Sequence, residues 1–553
     1  IAFAQKSVTG IIIDKGNKPI EGVKVSVKND DTKTFTNSAG EYSISIPEGK
    51  NTLEFTKADY KMQAMEISGS NLNITMSLLI ESDVFELSLE ELMNITVTSV
   101  SKKAESVLEV PQTIIVVTQE EIFQRGYTDI EQIFHDLPGF DISRGNGCEY
   151  SQIYQRGYRS NNTDRTLLLV DGVEENDLWS NSAWISRQFP LTNIKRIEVV
   201  YGPSSTIYGA NAYLGVINII TKNADEIIKD GNFVGVNAQV QYGTWNTFLS
   251  DISLAAKKNK TSLEITGRIF KSDEMDLSKY KDWDYDLTDY DLAYYRNILD
   301  TADDVLAQRA MDYDRQIYYN DPSFGGTKPY YSDKSDIWYI KAKLKVEDFT
   351  FGLESWKNDE GYGPWYRDDY EMGNKGGRWI PHNSSMYANY EKQITEKLSL
   401  TSLTTFKIHQ IDGASEENYY IGYLNRGLGL NDLLGANPTP YWWNAFYHVY
   451  SQQARSELRV QYAVNDKINL INGAEIRGSI IQGQYIVGDE FPSETATPPT
   501  FKGGNHFSST DFGYFAQIDY HPIPDLNIVA GGRADNNKIR IHGGYDWVFN
   551  PKA

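Results

Sequence analysis

The chain has 553 residues, with 53 Lys and Arg against 75 Asp and Glu, so its net charge is −22. This balance disfavours a general nucleic-acid binder, which needs a basic face. The single cysteine, Cys148, excludes a disulfide scaffold and any metal site built from several cysteines. The mean hydropathy of −0.48 and the short apolar runs exclude a polytopic helical membrane protein. A membrane β-barrel stays compatible, because its strands are apolar only at every second position.

The N-terminal residues read as a signal remnant followed by a small all-β domain. Ala2 and Ala4 give the small-x-small pattern that ends a secretory signal, so residues 1–4 are interpreted as its remnant. Short alternating segments separated by Gly, Pro and Asn turns follow. This spacing predicts a β-sandwich over residues 5–78.

Residues 79–101 are acidic and poorly patterned, and are interpreted as a linker. Residues 102–225 combine helical spacing over 119–134, with Thr118 as a plausible N-cap, with strand-like runs at 165–170, 194–200 and 216–221. The sequence therefore predicts a compact α/β unit after the linker.

From about residue 230 the pattern becomes repetitive, with one apolar and one polar face in each strand-like segment. Short turns alternate with long connections at 272–335, 359–383, 411–450 and 486–510. This one-sided asymmetry favours a transmembrane barrel over a soluble sandwich or propeller, because outer-membrane barrels have short periplasmic turns and long outer loops.

The stretch from Ile194 to Lys222 closely resembles the plug signature of TonB-dependent outer-membrane receptors. Upstream, Gln155-Arg156-Gly157 and the run ending in Asp171-Gly172-Val173 resemble two further plug motifs in the right order. The overall match resembles the cobalamin and siderophore branch of the family. Residues 5–78 resemble a carboxypeptidase regulatory-like domain of the kind found on receptors of Bacteroidota.

The predicted fold class is mainly β, with a small N-terminal β-sandwich, an α/β plug domain and the first half of a 22-stranded antiparallel transmembrane β-barrel. Residues 230–553 contain about eleven strand-like segments by pattern, half of what a plugged barrel of this class needs. A closed barrel of about 12 strands is too narrow for such a plug. We therefore expect residues 226–553 to be the N-terminal part of a longer barrel.

The resemblance implies roles for three sets of residues. The energy-coupling segment, or Ton box, is assigned to residues 94–98 and is expected to pair by strand addition with a periplasmic partner. Residues 85–92 are the competing assignment, and an inert linker is the alternative. A buried charge network is expected to lock plug to barrel, with plain exposure to lumen water as the alternative, and glycines are expected at tight plug turns. The residues are Asn94, Ile95, Thr96, Val97 and Thr98 for the Ton box, Arg156, Arg196 and Glu198 for the lock, and Gly202, Gly209 and Gly215 for the turns.

Two ligand sites are predicted in the outer loops. Aromatic and basic residues could stack on a sugar, a corrin or a catecholate, although an interfacial aromatic girdle explains them equally well. Residues 282–293 begin like a calcium loop but lack Gly at its sixth position and Glu at its twelfth, so a solvated acidic loop competes with a Ca²⁺ site. No other cofactor and no catalytic constellation is expected. The stacking candidates are Trp365, Tyr366, Arg367, Trp442 and Trp443, and the calcium candidates are Asp282, Asp284 and Asp286.

The resemblance implies an importer of a scarce nutrient, such as a siderophore, cobalamin or a similar chelate, in the outer membrane of a Gram-negative bacterium. Its implied partners are TonB with ExbB/ExbD, the small ligand and outer-membrane lipid. One alternative is a SusC-like glycan or peptide importer with a surface lipoprotein lid. Another is a non-transporting binding or scaffold subunit of an envelope complex.

Overall fold

The computed structural model describes the chain as two compact units, Ile1–Ile95 and Thr96–Ala553. The described residues are 6–552, with the exception of 15–17, 29, 31, 48, 58–62, 68, 77–95, 101, 103–104, 107–109, 111, 144–151, 160–164, 210, 229–231, 275–289, 321–333, 362–371, 466, 483–485, 491–505, 524–525 and 541–542.

The first unit is built from two small sheets, one of three strands and one of four. Alternating residues such as Val23, Val25 and Val27 point into a shared apolar core that also contains Leu53 and Phe55. These two sheets around one core confirm the predicted β-sandwich. Its strands are β1 (Lys6–Asp14), β2 (Lys24–Val27), β3 (Lys33–Phe35), β4 (Glu41–Ile46), β5 (Thr52–Thr56), β6 (Gln63–Glu66) and β7 (Ile74–Met76).

The second unit begins with the α/β plug. Its five-stranded sheet contains, side by side, the strands Thr113–Thr118, Ile194–Tyr201, Gly215–Thr221, Thr166–Val170 and Val173–Glu174. Two helices start where the sequence supplies a cap, because Thr118 accepts a hydrogen bond from the Glu121 N–H and Asp129 accepts one from the Gln132 N–H. The elements are β8 (Thr96–Val97), β9 (Glu105–Ser106), β10 (Thr113–Thr118), α1 (Gln119–Gln124), α2 (Ile130–His135), β11 (Phe140–Ser143), β12 (Gln152–Gln155), β13 (Thr166–Val170), β14 (Val173–Glu174), the 3₁₀ turn Leu191–Asn193, β15 (Ile194–Tyr201), α3 (Ser205–Tyr208), β16 (Gly215–Thr221) and α4 (Ala224–Ile227).

A 14-stranded antiparallel sheet follows the plug. Its outer face carries exposed apolar residues such as Ile252 and Ile340, whereas Asp251 and Lys341, one position away, are buried on the inner face. This barrel-like sheet confirms the predicted architecture, while the count of 22 strands stays a prediction. The strands are β17 (Val234–Tyr242), β18 (Phe248–Lys258), β19 (Thr261–Ser272), β20 (Ser335–Val346), β21 (Phe349–Gly361), β22 (Met372–Trp379), β23 (Pro381–Thr395), β24 (Leu398–Ile421), β25 (Tyr441–Asn465), β26 (Ile468–Gln482), β27 (Ile486–Glu490), β28 (His506–Ile523), β29 (Leu526–Ile539) and β30 (Gly543–Lys552).

Two of the long connections contain helices that the sequence reading did not predict. They are α5 (Leu292–Ile298), α6 (Asp304–Asn320) and α7 (Leu430–Leu434), and they share an apolar core with the ends of β24 and β25. Asp314 ties α6 to the turn after β24, because its carboxylate accepts hydrogen bonds from the Tyr423 and Leu424 N–H groups at 3.0 and 2.7 Å. Burial raises the pKa of Asp314 to about 6. None of the described helices has both the length and the apolar character needed to cross a membrane.

Candidate functional site

Glu198 is a buried carboxylate of the plug that binds both Arg196 and the start of the second unit. It lies on β15, is fully buried, and pairs with Arg196 two residues earlier at 2.6 Å. Its other oxygen accepts hydrogen bonds from the N–H groups of Thr98 and Ser99, both at 2.9 Å, and from the Ser99 hydroxyl at 2.6 Å. One carboxylate therefore fixes the start of the second unit onto the plug sheet.

The predicted Ton box is only partly described. Asn94 and Ile95 lie outside the described residues, and Thr96–Val97 pairs antiparallel with Glu105–Ser106. Val97 and Ser99 are buried, so this end of the segment lies against the plug. Its coupling role stays a prediction.

The three residues predicted to lock plug and barrel lie in two separate parts of the plug. Arg196 and Glu198 pair with each other inside the plug. Arg156 is exposed, has a left-handed backbone with φ of 55°, and donates its N–H to the Gly139 carbonyl at 2.8 Å. A locking role for these three residues stays a prediction, while the described ion pairs between plug and sheet run through other residues.

The first of these plug-to-sheet contacts is made by Asp171. The Asp171-Gly172 dipeptide has positive φ at both residues, as a two-residue hairpin turn between β13 and β14 requires. This turn presents the carboxylate to Lys341 at 3.2 Å and Lys343 at 3.8 Å on the inner face of β20. Burial alone would raise the pKa of Asp171, but the two ammonium groups outweigh it and hold the pKa well below its ordinary value.

The second contact is made by Glu174, at the start of the loop that we call loop 174–188. Its carboxylate lies 3.3 Å from Arg477 and 3.9 Å from Arg455. Burial would raise the pKa of Glu174, but these guanidinium groups hold it below the ordinary value. A third contact joins Lys102 to Glu457 at 2.7 Å.

Glu175, the next residue, has a contrasting environment. Its carboxylate accepts hydrogen bonds from the Trp356 indole at 3.2 Å and the Asn383 amide at 2.7 Å. Burial, together with the nearby charge of Glu354, raises the pKa of Glu175 to about 7. Adjacent glutamates therefore have pKa values shifted in opposite directions.

Loop 174–188 is folded around Asp177. Its carboxylate accepts hydrogen bonds from the N–H groups of Trp179 and Ser180, at 2.6 and 2.5 Å, and from the Trp184 indole at 2.9 Å. The loop then packs on apolar residues of the sheet. Members of this shared core are Trp184, Ile185, Phe189, Tyr339, Trp356, Trp379, Ile411 and Tyr447.

The predicted plug glycines occupy demanding positions. Gly202 and Gly209 have φ of 102° and 93°, a conformation that L side chains rarely adopt. Gly215 is required by a close approach, because a Cβ there would lie 2.2 Å from the Val200 carbonyl oxygen.

We expect Gly215→Ala to destabilise the plug by at least about 1–3 kcal/mol, because the methyl group forces β16 away from β15. Hydrogen exchange of residues 194–221 in the full chain measures the effect. Gly478→Ala is the matched control, because a Cβ at this strand glycine meets nothing within 4 Å. Equal protection in the two variants would contradict the prediction.

Only two of the predicted ligand residues, Trp442 and Trp443, lie within the described part of the chain. Trp365, Tyr366, Arg367, Asp282, Asp284 and Asp286 lie outside the described residues. Trp442 is buried in the core of the outer-loop helices, and Trp443 packs against Tyr419 in a tilted arrangement with ring centroids 5.3 Å apart. Within the described ranges, no group of three or more His, Cys, Asp or Glu side chains could hold a metal ion.

Sequence reasoning missed the plug residues that contact the sheet. Asp171 was noted as part of a motif, but its partners lie on a strand about 170 residues further along the chain. Lys102 and Glu174 carried no local signal, since their partners are likewise remote. The sequence signal that could have indicated these contacts is the presence of charged residues at strand positions that face the inside of the sheet.

Comparison with known proteins identifies two regions. Residues 106–216 match the family model described as TonB-dependent Receptor Plug Domain, and residues 8–92 match the CarboxypepD_reg-like domain. An iron-regulated outer membrane virulence protein of Vibrio cholerae serotype O1 is 27% identical over 228 residues, which are 40% of this chain and 32% of that protein. This chain therefore matches about a third of that relative's length.

Solved structures share the fold at low sequence identity. The receptor FpvA of Pseudomonas aeruginosa, bound to a heterologous ferric pyoverdine, aligns over 88% of this chain and 59% of its own, with a TM-score of 0.55 and 14% identity. The ferripyoverdine receptor of the P. aeruginosa outer membrane aligns over 98% of this chain and 64% of its own, with a TM-score of 0.53 and 14% identity. These similarities establish the fold, including the plug within a barrel-type sheet.

Proposed function

We propose that this chain, whose plug domain and fold are those of the TonB-dependent receptor family, takes part in TonB-dependent active import across the outer membrane. Proteins of this family are outer-membrane receptors of Gram-negative bacteria and are not enzymes. The carrying observation is that the plug is joined to the inner face of the sheet by buried ion pairs at Asp171, Glu174 and Lys102. Passage of a solute through such a barrel requires movement of the plug.

The proposed source of energy is TonB, acting with ExbB/ExbD on residues 94–98. Strand addition needs an extended segment with free backbone groups. The pairing of Thr96–Val97 with Glu105–Ser106 is only two residues long, so a partner strand can replace it once the bonds to Glu198 are broken. Pulling on this segment would act directly on the bonds to Glu198.

The proposed cargo is a siderophore, cobalamin or a similar chelate. This proposal is supported by the fold neighbours, whose solved structures hold ferric pyoverdines, and by the iron-regulated relative. Trp443 and the residues 365–367 are retained as candidate stacking residues, and Asp282, Asp284 and Asp286 as a candidate Ca²⁺ site in an outer loop.

Deletion of residues 94–98 from the chromosomal gene tests the mechanism. We expect cells to lose uptake of labelled probe while purified receptor keeps its affinity for it, since the deletion removes the coupling segment, with its Thr98 contact to Glu198, and leaves the outer loops unchanged. The candidate probes are ferric enterobactin, ferric pyoverdine and cyanocobalamin. The probe that the parent strain takes up is then used for all variants. Deletion of residues 87–91 is the matched control for length and tests the competing assignment. Normal uptake after deletion of 94–98 would overturn the assignment.

The two alternatives give different results in the same strains. A SusC-like glycan or peptide importer would co-purify with a surface lipoprotein and take up oligosaccharide or peptide. A scaffold subunit would be unaffected by either deletion.

A further inference from the structure

Three buried polar side chains on the inner face of the large sheet carry hydrogen-bonding atoms that no described residue satisfies. They are Asn358 on β21, Asn383 on β23 and His409 on β24, with exposed fractions of 0, 2 and 0%. Both amide atoms of Asn358, the amide oxygen of Asn383 and both ring nitrogens of His409 lack a partner among the described residues. We call these three residues the amide–imidazole site.

The sheet brings the three residues side by side. Asn383 lies directly opposite His409 in the register of β23 and β24, and directly opposite Trp356 in the register of β21 and β23. Asn358 follows Trp356 by two positions and therefore points to the same face of the sheet. Side chains opposite each other in an antiparallel pair have Cβ atoms about 5 Å apart. One small group can therefore bond to at least two of these residues.

Loop 174–188 covers the amide–imidazole site. The Trp184 ring lies nearly parallel to the His409 ring, with an interplanar angle of 23° and centroids 6.3 Å apart. The Asn383 amide nitrogen donates a hydrogen bond to Glu175 at 2.7 Å, which leaves its amide oxygen for another partner. These three residues belong to none of the plug-to-sheet ion pairs described above.

Packing alone does not account for polar side chains at these positions. A buried donor or acceptor without a partner costs free energy, and folded proteins retain few of them. An apolar side chain of the same shape avoids this cost, and Ile411 is such a side chain two residues after His409 on the same face of β24. Polar choices at three neighbouring positions therefore indicate an occupant that forms hydrogen bonds.

The chemistry of the site favours a hydroxyl group as that occupant. An Asn amide offers both donors and an acceptor, and an uncharged imidazole offers one of each. A hydroxyl group also donates and accepts, whereas a carboxylate or phosphate mainly accepts and an ammonium group only donates. The nearby cation of Lys407 is directed at the loop, because it donates hydrogen bonds to the carbonyl oxygens of Glu174 and Asn176.

We propose that the amide–imidazole site binds hydroxyl groups on the wall of the barrel. Water supplies them while loop 174–188 covers the site, and a neutral, hydroxyl-bearing part of the cargo supplies them when the loop moves. Because water and an alcohol offer the same donor and acceptor, the exchange keeps the hydrogen bonds of the wall satisfied. This inference rests on the proposed function, and it assigns the cargo a place on β21, β23 and β24.

An experimental structure of the full-length receptor, at a resolution that shows ordered water, tests the resting state. We expect a water molecule within about 3 Å of a His409 ring nitrogen and of an amide atom of Asn358 or Asn383. Side chains that instead bond to one another or to the backbone, with no water between them, would overturn the site.

Uptake by variants tests the role in transport, with the probe that the parent strain takes up. We expect His409→Phe and Asn358→Leu each to slow uptake about tenfold, the effect of losing one partner of a buried polar group. The affinity of purified receptor for the probe should stay within about twofold, because the outer loops are unchanged. His409→Gln should recover much of the uptake that His409→Phe loses, because Gln again offers a donor and an acceptor.

Thr405→Val is the matched control, because it removes a buried hydroxyl from the same face of β24 four residues before His409. We expect its uptake to stay within about twofold of the parent. Hydrogen exchange of residues 174–188 should match the parent in every variant, which shows that the loop is folded over the wall.

The possible results separate this inference from the proposed function. Normal uptake without ordered water would overturn the site and leave the function intact. Ordered water with parent-like uptake in both His409→Phe and Asn358→Leu would overturn the cargo role, because only water would then use the site. An equal loss in Thr405→Val would also overturn it, because any change of the inner wall would suffice. A parent strain that takes up no probe would overturn the function and the cargo role together, while the ordered water would still decide the site.

Discussion

Replacement of Glu198 by Ala is expected to release residues 96–100 and to lower the free energy of local unfolding of the plug by about 3–5 kcal/mol. That magnitude is typical when one partner of a buried ion pair is removed. The side chain is fully buried, and its loss leaves the Arg196 guanidinium without its carboxylate. It also removes the acceptor for the Thr98 and Ser99 N–H groups.

Hydrogen exchange of residues 96–106 and 194–201 in the full chain measures this effect. Lys195→Ala is a matched control on the same strand, because its ion pair with Glu226 is partly exposed to solvent, unlike the buried pair of Glu198. Such a pair contributes about 0–1 kcal/mol. Parent-like protection of residues 96–100 in Glu198→Ala would show that other contacts hold the segment.

The strands of the fold could be predicted from sequence because their pattern is local. Alternation of Trp338, Ile340 and Ala342 with Tyr339, Lys341 and Lys343 predicted a strand, and the structure forms it as Ser335–Val346. The helices in the connection 272–335 were missed for the opposite reason. Its many Asp and Tyr residues concealed the helical spacing of Leu306, Ala310 and Met311, which pack in a local core.

The candidate site was less predictable, because its contacts join residues far apart in the chain. Arg196 and Glu198 were singled out as charges, and their mutual pairing follows from their i, i+2 spacing on one strand. Spacing gives no indication that Asp171 reaches Lys341 or that Lys102 reaches Glu457. Only the assembled sheet brings these side chains together.

Glu175→Gln is expected to stabilise the plug by up to about 3 kcal/mol at pH 8, whereas Glu174→Gln is expected to destabilise it. At pH 8 the folded protein must hold Glu175 ionised, although burial and the nearby Glu354 raise its pKa to about 7. The difference from the ordinary value of 4.5 corresponds to about 3 kcal/mol. Gln keeps an oxygen for the Trp356 and Asn383 donors and carries no charge.

The pH dependence of the two variants has opposite signs. Because the pKa of Glu175 is raised on folding, its favourable contribution is present below about pH 4 and is lost as the pH rises through about 7. The advantage of Glu175→Gln should therefore vanish near pH 4. The pKa of Glu174 is lowered by Arg477 and Arg455 despite burial, so its contribution is present above its ordinary pKa and is lost in acid.

Hydrogen exchange of residues 166–190, corrected for intrinsic rates at pH 4 and pH 8, measures both variants. Their adjacency makes each the control for the other, because they share the same strand end and the same change in chemistry. Destabilisation by both at pH 8 would mean that Glu175 is stabilised as a carboxylate, through its two donors and the cation of Lys407. Stabilisation by Glu175→Gln alone would instead show that folding raises the pKa of Glu175 to about 7. At such a pKa, a small movement of loop 174–188 changes the charge of this side chain.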